Sequence, residues 1–183
     1  EAIGDAVKGL RALGNFRGAS VTIPHKVAAV PFLDMVEPTA RHIGAINTIV
    51  ATGGALTGYN TDATGALRAL REGAVALKGR HVILLGSGGA ARAIAFALGA
   101  EAGIDRLTIL GIDVRERIAL ARDLQSNTGM TVQELPLDEG ALRTMLPDTH
   151  VLIHCTPTGM WPNVHETSVP ATLLHPGLTV MDI

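Results

Sequence analysis

The chain has 183 residues, 47% of them apolar, which is enough for one large core or two smaller ones, and a formal net charge of -2. Its 15 lysines and arginines are scattered, which argues against nucleic acid as a partner, and no apolar run approaches the roughly 20 residues that span a bilayer. A single cysteine, Cys155, excludes an internal disulfide and a cysteine-based zinc cluster and suits a reducing, cytoplasmic setting, and the 7 histidines show no metal-ligand spacing.

The first residues, EAIGDAVKGLRAL, place Ile3, Ala6, Val7, Leu10 and Leu13 at helical spacing, with charges scattered where a signal peptide would carry an apolar core. A strand is expected over 18–23, ended by Pro24, which has no N–H to give to a ladder, so that His25 and Lys26 emerge at a strand tip. A short helix from Val27 into Leu33 follows. INTIVA and ALTGYN flank Thr52, Gly53 and Gly54, a hairpin signal with glycine supplying the positive φ. A helical pattern runs from Thr64 to Glu72, and ALKGR reads as a connector.

Beyond the connector the pattern changes. HVILLGSGGAARAIAFALGA is a buried strand, a glycine turn and an alanine-rich helix in succession; RLTILGID is the next strand and VRERIALARDLQ the next helix. THVLIHCTPTGM and LTVMDI supply two more strands, the last with nothing after it to cover it. Strands alternating with helices at this spacing imply a parallel sheet with right-handed crossovers. The expected class is therefore α/β, a Rossmann-type domain over 65–183 and part of a second α/β domain over 1–64, with both ends reading as cuts from a longer polypeptide.

Three features carry chemistry. Gly86, Gly88 and Gly89 lie between strand and helix, where bare backbone N–H groups and the helix N-terminus attract a pyrophosphate; Ala91 stands at the third glycine position, which the dinucleotide fingerprint allows. Lys26 is either the first solvated charge after the strand or a strand-tip functional group. Asp62, between a strand and a helix, is either an N-cap or a functional carboxylate, and Asn47 is either a turn residue or a functional amide. A lysine, a carboxylate and an amide in one half, with a dinucleotide turn in the other, are the parts of a hydroxyl-to-carbonyl oxidoreductase.

SVTIPHK, GAINTIV, GYNTD, LLGSGGAARA and TPTGMWPN occur in an order and spacing that resemble the shikimate dehydrogenase family, whose members interconvert 3-dehydroshikimate and shikimate in aromatic amino-acid biosynthesis. The resemblance implies a substrate domain and a nicotinamide-nucleotide domain with the active site in the cleft between them. It assigns Lys26 and Asp62 as catalytic, and Thr22, Asn47 and Ser20 as substrate-binding, although many members carry asparagine at the Ser20 position. It assigns Gly86, Ser87, Gly88, Gly89 and Ala90 as the diphosphate loop, with Thr156 and Met160 bordering the nicotinamide. The expected partners are small molecules, the expected location the cytoplasm, and the expected state a monomer or homodimer. The related quinate dehydrogenases and a module of a multifunctional shikimate-pathway polypeptide are the alternatives; retention of both Lys26 and Asp62 argues against a non-catalytic regulator.

The family's early serine loop and its closing tyrosine and glutamine have no counterpart in this chain, so the chain is expected to hold nucleotide better than substrate. NADP is the cofactor that the resemblance implies. Gly111, Ile112 and Asp113, however, stand where many members show Asn-Arg-Thr, and Asp113 would repel a 2′-phosphate, so NADP discrimination is expected to weaken and NAD to be admitted. Arg115 and Arg117 either reach back to supply the missing charge or form the exposed face of a helix. Cys155 reads as a small buried apolar residue, His25 as a surface residue, and Trp161 as an aromatic lid or as loop packing.

Overall fold

The structure, a computed structural model, describes residues 2–183. Two sheets divide the chain. The first half begins with α1 (Ala2–Arg11), continues through β1 (Gly18–Ser20), β2 (Met35–Val36) and α2 (Pro38–Ile43), and ends with the hairpin β3 (Thr48–Thr52) and β4 (Ala55–Tyr59). Its sheet runs β1-β3-β4-β2, antiparallel except for the β2–β4 pair. Gly53 and Gly54, at φ 59° and 86°, close the hairpin in the conformation that glycine alone adopts freely. Val7, Ala40, Ile46, Ile49 and Leu56 are the buried centre beneath this sheet.

The second half opens with α3 (Asp62–Glu72) and builds a parallel sheet from β5 (His81–Leu85), β6 (Arg106–Gly111), β7 (Val132–Pro136), β8 (Val151–His154) and β9 (Thr179–Asp182). Between them lie α4 (Gly89–Ala97), α5 (Val114–Thr128) and α6 (Glu139–Met145). The strand order β7-β6-β5-β8-β9 reverses direction between β5 and β8, and the carboxyl ends of strands at such a switch point are where open α/β sheets bind ligands. All five residues of β5 are buried, as expected of a central parallel strand covered on both faces. Its alternate residues feed two cores: Val82 and Leu84 pack with α3, α4 and α5, whereas Ile83 and Leu85 pack with α6. No helix among the described residues is long and apolar enough to cross a membrane.

Several local expectations change. The strand expected over 18–23 ends at Ser20, because the chain turns at once: His25 N–H reaches Thr22 O at 2.9 Å around a cis Ile23–Pro24 bond. The helix expected from Val27 into Leu33 is a single 3₁₀ turn, Val30–Phe32, since Pro31 has no N–H to extend an α-helical ladder. The patterns that read as helix from Thr64 and as helix over 114–125 are longer, beginning at Asp62 and running to Thr128. Elements that the pattern did not announce are β2, α2, β7 and α6. The end of α2 was nonetheless marked, with Glu37 capping Ala40 N–H, Pro38 in the first turn and Gly44 at φ 73° after the last. The boundary between 64 and 65 falls inside α3, whose Ala63, Ala66, Leu67 and Leu70 share one core with Ile43 and Ala45 of the first half and with α4.

Candidate active site between the two sheets

The turn after β1 carries Lys26 to the first turn of α3, where its Nζ lies 2.6 Å from Asp62 Oδ2, with the two side chains 17% and 23% exposed. Asp62 Oδ1 accepts from Asn47 Nδ2 at 2.8 Å. Each carboxylate oxygen therefore has one donor, and each donor comes from a different element of the first half.

Asp62 is free to do this because it is not the cap of its own helix. Asn60, buried at the end of β4, accepts the N–H groups of Asp62 and Ala63 on its Oδ1 and donates to Ala45 O at 3.0 Å. Sequence reading weighed Asp62 as the cap; the cap two residues earlier was legible as Asn-Thr-Asp before a helical run, and it releases the aspartate. Asn47 is equally committed. Its two amide hydrogens go to Asp62 and to Thr61 Oγ1 at 2.7 Å, and its Oδ1 receives Thr61 N–H at 3.1 Å and the Thr48 hydroxyl at 2.9 Å. It orients the carboxylate. Thr22 and Ser20 are exposed on the same edge, Thr22 in the turn and Ser20 at the end of β1 opposite Thr48.

The glycine turn faces this cluster. Gly86 follows β5 at φ 104°, and a Cβ there would lie 3.0 Å from Cys155 O. Gly88 precedes α4 without any capping side chain, and a Cβ on it would meet only open space. The first N–H groups of α4 thus look into an open, uncapped cradle, which fits the diphosphate of a dinucleotide. A Cβ on Gly89 would sit 2.6 Å from Lys26 Cβ, so the bare glycine is what allows the lysine stem to lie against the turn. Thr156 is beside Gly86, the two approaching within 3.4 Å of a Cβ on that glycine, and its hydroxyl is 2.6 Å from His154 Nε2. His154 continues to Asp182 and Ser168. Met160 is exposed on the loop after β8, as is Trp161 at 86%, which excludes the loop-packing alternative for the tryptophan.

At the end of β6, Asp113 is the N-cap of α5: its Oδ1 accepts Arg115 N–H at 2.8 Å and Glu116 N–H at 3.0 Å. The Glu116 amide, and then the Arg115 amide, hold its carboxyl below the ordinary aspartate value. Arg117 does not form an exposed helix face; its guanidinium pairs with Glu134 of β7 and donates to Gly111 O at 3.1 Å. Arg115 is exposed. Glu116, which sequence reading passed over, reaches Ser87 Oγ of the glycine turn at 3.3 Å. Burial, chiefly, pushes the Cys155 thiol up to about 12, so it is no nucleophile near neutrality.

Residues 1–49 match the family model described as the shikimate dehydrogenase substrate binding domain. A shikimate dehydrogenase (NADP(+)) from Moorella thermoacetica is 42% identical over 179 residues, covering 97% of this chain and 60% of that protein. A shikimate 5-dehydrogenase from Thermus thermophilus, solved with NADP(H) and shikimate, superposes with a TM-score of 0.76 at 35% identity over 99% of this chain and 62% of its own. A quinate dehydrogenase from Corynebacterium glutamicum, solved with NAD, superposes with a TM-score of 0.81 at 30% identity over 98% of this chain and 62% of its own. The chain spans about 60% of the length of the curated relatives it matches. With the sheet order and the cluster above, these likenesses make nearly the whole of this chain similar to the shikimate dehydrogenases, and residues 1–49 similar to their substrate binding domain.

Proposed function

We propose that this chain is the catalytic part of an NAD(P)-dependent dehydrogenase that reversibly reduces 3-dehydroshikimate to shikimate. The observation that carries the reading is the Lys26–Asp62 pair at 2.6 Å, packed against the glycine turn through Gly89. In this reading residues 1–64 bind the polyhydroxy substrate and residues 65–183 bind the nucleotide, with α3 bridging the two. The diphosphate lies on Gly86, Ser87, Gly88, Gly89 and Ala90, and Thr156 and Met160 border the nicotinamide. Transfer of hydride to or from the ring carbon is the chemistry that the bound dinucleotide supplies.

The chain's own residues handle the proton. Alcohol oxidation frees a hydroxyl proton as hydride leaves the adjacent carbon, and Lys26 with Asp62 accepts it; in reduction the pair returns it. Asn47 keeps the carboxylate turned toward the lysine. Thr22 and Ser20, exposed on the rim of the same half, hydrogen-bond the substrate's hydroxyl and carboxylate groups. A net charge of -2 and scattered basic residues support small molecules as the partners, and the single cysteine supports a cytoplasmic location.

The test is to mix the full-length protein with shikimate and either oxidised nucleotide and follow reduced-nicotinamide absorbance. Absorbance should rise with shikimate. A rise with quinate alone would move the assignment to the quinate enzymes, as the likeness to the Corynebacterium quinate dehydrogenase allows. No rise with either acid would overturn it.

A further inference from the structure

We infer that Glu116, acting with Asp113, makes the ribose subsite at the end of β6 select NAD and reject NADP, although relatives such as the Moorella enzyme are named for NADP(+). The inference rests on the proposal that the glycine turn holds a dinucleotide.

Rossmann-type sites that take NAD place an acid past the second strand of the unit to accept the ribose hydroxyls, and those that take NADP place an arginine near the 2′-phosphate. Here the second strand is β6, beside β5, and of the arginines that follow it Arg117 is committed to Glu134, while Arg115, whose charge reaches Asp113, holds no side-chain partner among the described residues. Ile112 is 88% exposed and brings no charge. The Arg117 side chain is only 12% exposed, bound to Glu134 and Gly111 O beneath the strand end. Arg115 lies on the outer stripe of α5 with exposed Ile118, Ala119 and Arg122, opposite the face that buries Leu120, Ala121 and Leu124. Glu116 is on the flank of α5 that faces α4: two helical turns further along, Asp123 pairs with Arg92 of α4, and Glu116 itself touches Ser87.

Two carboxylates therefore border the diphosphate loop at the place where the adenosine ribose must pass. Both capping bonds of Asp113 use Oδ1, so Oδ2 is left without a hydrogen bond among the described residues. Asp113 Oδ2 and Glu116 can accept from ribose hydroxyls. A 2′-phosphate, itself a dianion with no donors, would meet repulsion from both.

Calorimetric titration of the full-length protein with NAD⁺, NADP⁺, 5′-ADP and 2′,5′-ADP tests this without reference to turnover. NAD⁺ is expected to bind about tenfold or more tightly than NADP⁺, and 5′-ADP more tightly than 2′,5′-ADP, with the gap narrowing as ionic strength rises. The double variant Asp113→Ser with Glu116→Arg keeps an oxygen for the cap and should raise NADP⁺ affinity by roughly tenfold or more. If that protein does not fold, Glu116→Gln alone, at an exposed position, should move NADP⁺ affinity in the same direction by a smaller factor. Equal binding of the two nucleotides, tighter binding of NADP⁺, or variants with unchanged NADP⁺ affinity would overturn the inference and leave the dehydrogenase reading standing. Binding of neither nucleotide would remove both.

Discussion

Lys26 and Asp62 come from positions 36 residues apart in the chain and meet at 2.6 Å, so each is the other's principal polar partner in the cleft. Groups that share one proton-transfer task act as a unit. Alanine at either position should lower turnover by about 10²-fold or more, and the double variant should be little worse than the poorer single one. Additive losses in steady-state assays would separate the two roles. The sequence singled out both residues, but not how they are held, because the Asn60 cap and the fully engaged Asn47 amide depend on where two strand ends and a helix start converge. A second residue-scale prediction concerns His81, buried at the start of β5. Burial first, and then the Arg106 charge, lower its pKa from 6.5, and its Nε2 lies 2.8 Å from Thr108 Oγ1. Around Nδ1 lie the Arg106 guanidinium at 3.2 Å and Asp148 O at 3.4 Å. The unfolded chain therefore binds a proton that the folded chain refuses once pH drops below about 6.5. Stability should fall with acidification below that value and be insensitive to His81 above it. Urea midpoints measured from pH 5 to 8, values on the order of the histidine range, should show a shallower acid slope for His81→Gln; an unchanged slope would remove the histidine from the account.

At the scale of elements, the glycine turn and the first turn of α4 do two jobs. Gly88 leaves helix N–H groups open, while Gly89 admits the Lys26 stem. Gly89→Ala places a methyl 2.6 Å from Lys26 Cβ, a separation that real carbons do not keep, and the neighbour is the near end of the side chain and cannot swing away. The lysine must shift, and a displacement of about 1 Å at a reacting group can cost about 10²-fold in rate. Turnover should therefore collapse while nucleotide affinity changes far less; the reverse split, measured by calorimetry beside steady-state kinetics, would mean that the glycine serves the nucleotide alone. The regular βα units were legible because buried runs such as HVILL and the glycine turn leave little choice of structure. Less was legible at β7, where Val132–Pro136 mixes Gln133 and Glu134 into an edge strand and ends on a proline. The 3₁₀ turn at Val30–Phe32 was hidden for a related reason: an apolar run reads as helix until Pro31 denies it a ladder.

Across the whole molecule the two sheets are joined chiefly by helices. Arg92 of α4 donates to Ile43 O at the end of α2, pairs with Asp123 of α5, and lies over the Phe96 ring at 5.4 Å. One guanidinium thus ties the first half to two helices of the second. Arg92→Met keeps the apolar stem and removes the ties; turnover is expected to fall by roughly tenfold or more through loss of alignment, with circular dichroism still reporting a folded chain. Native turnover in that variant would mean that the shared core alone sets the alignment. That core has a mechanical consequence. Ile43, Ala45 and the inner face of α3 are packed with α4 and β5, so in any hinge motion of the cleft they must travel with the nucleotide half, although the chain that leads to them belongs to the other sheet. Asp62, in the first turn of α3, rides with them, and so does Lys26, whose carbonyl accepts Ile46 N–H and whose stem lies against Gly89. Opening the cleft would then leave the lysine and the carboxylate paired, so the open molecule would meet its substrate with the two groups already assembled.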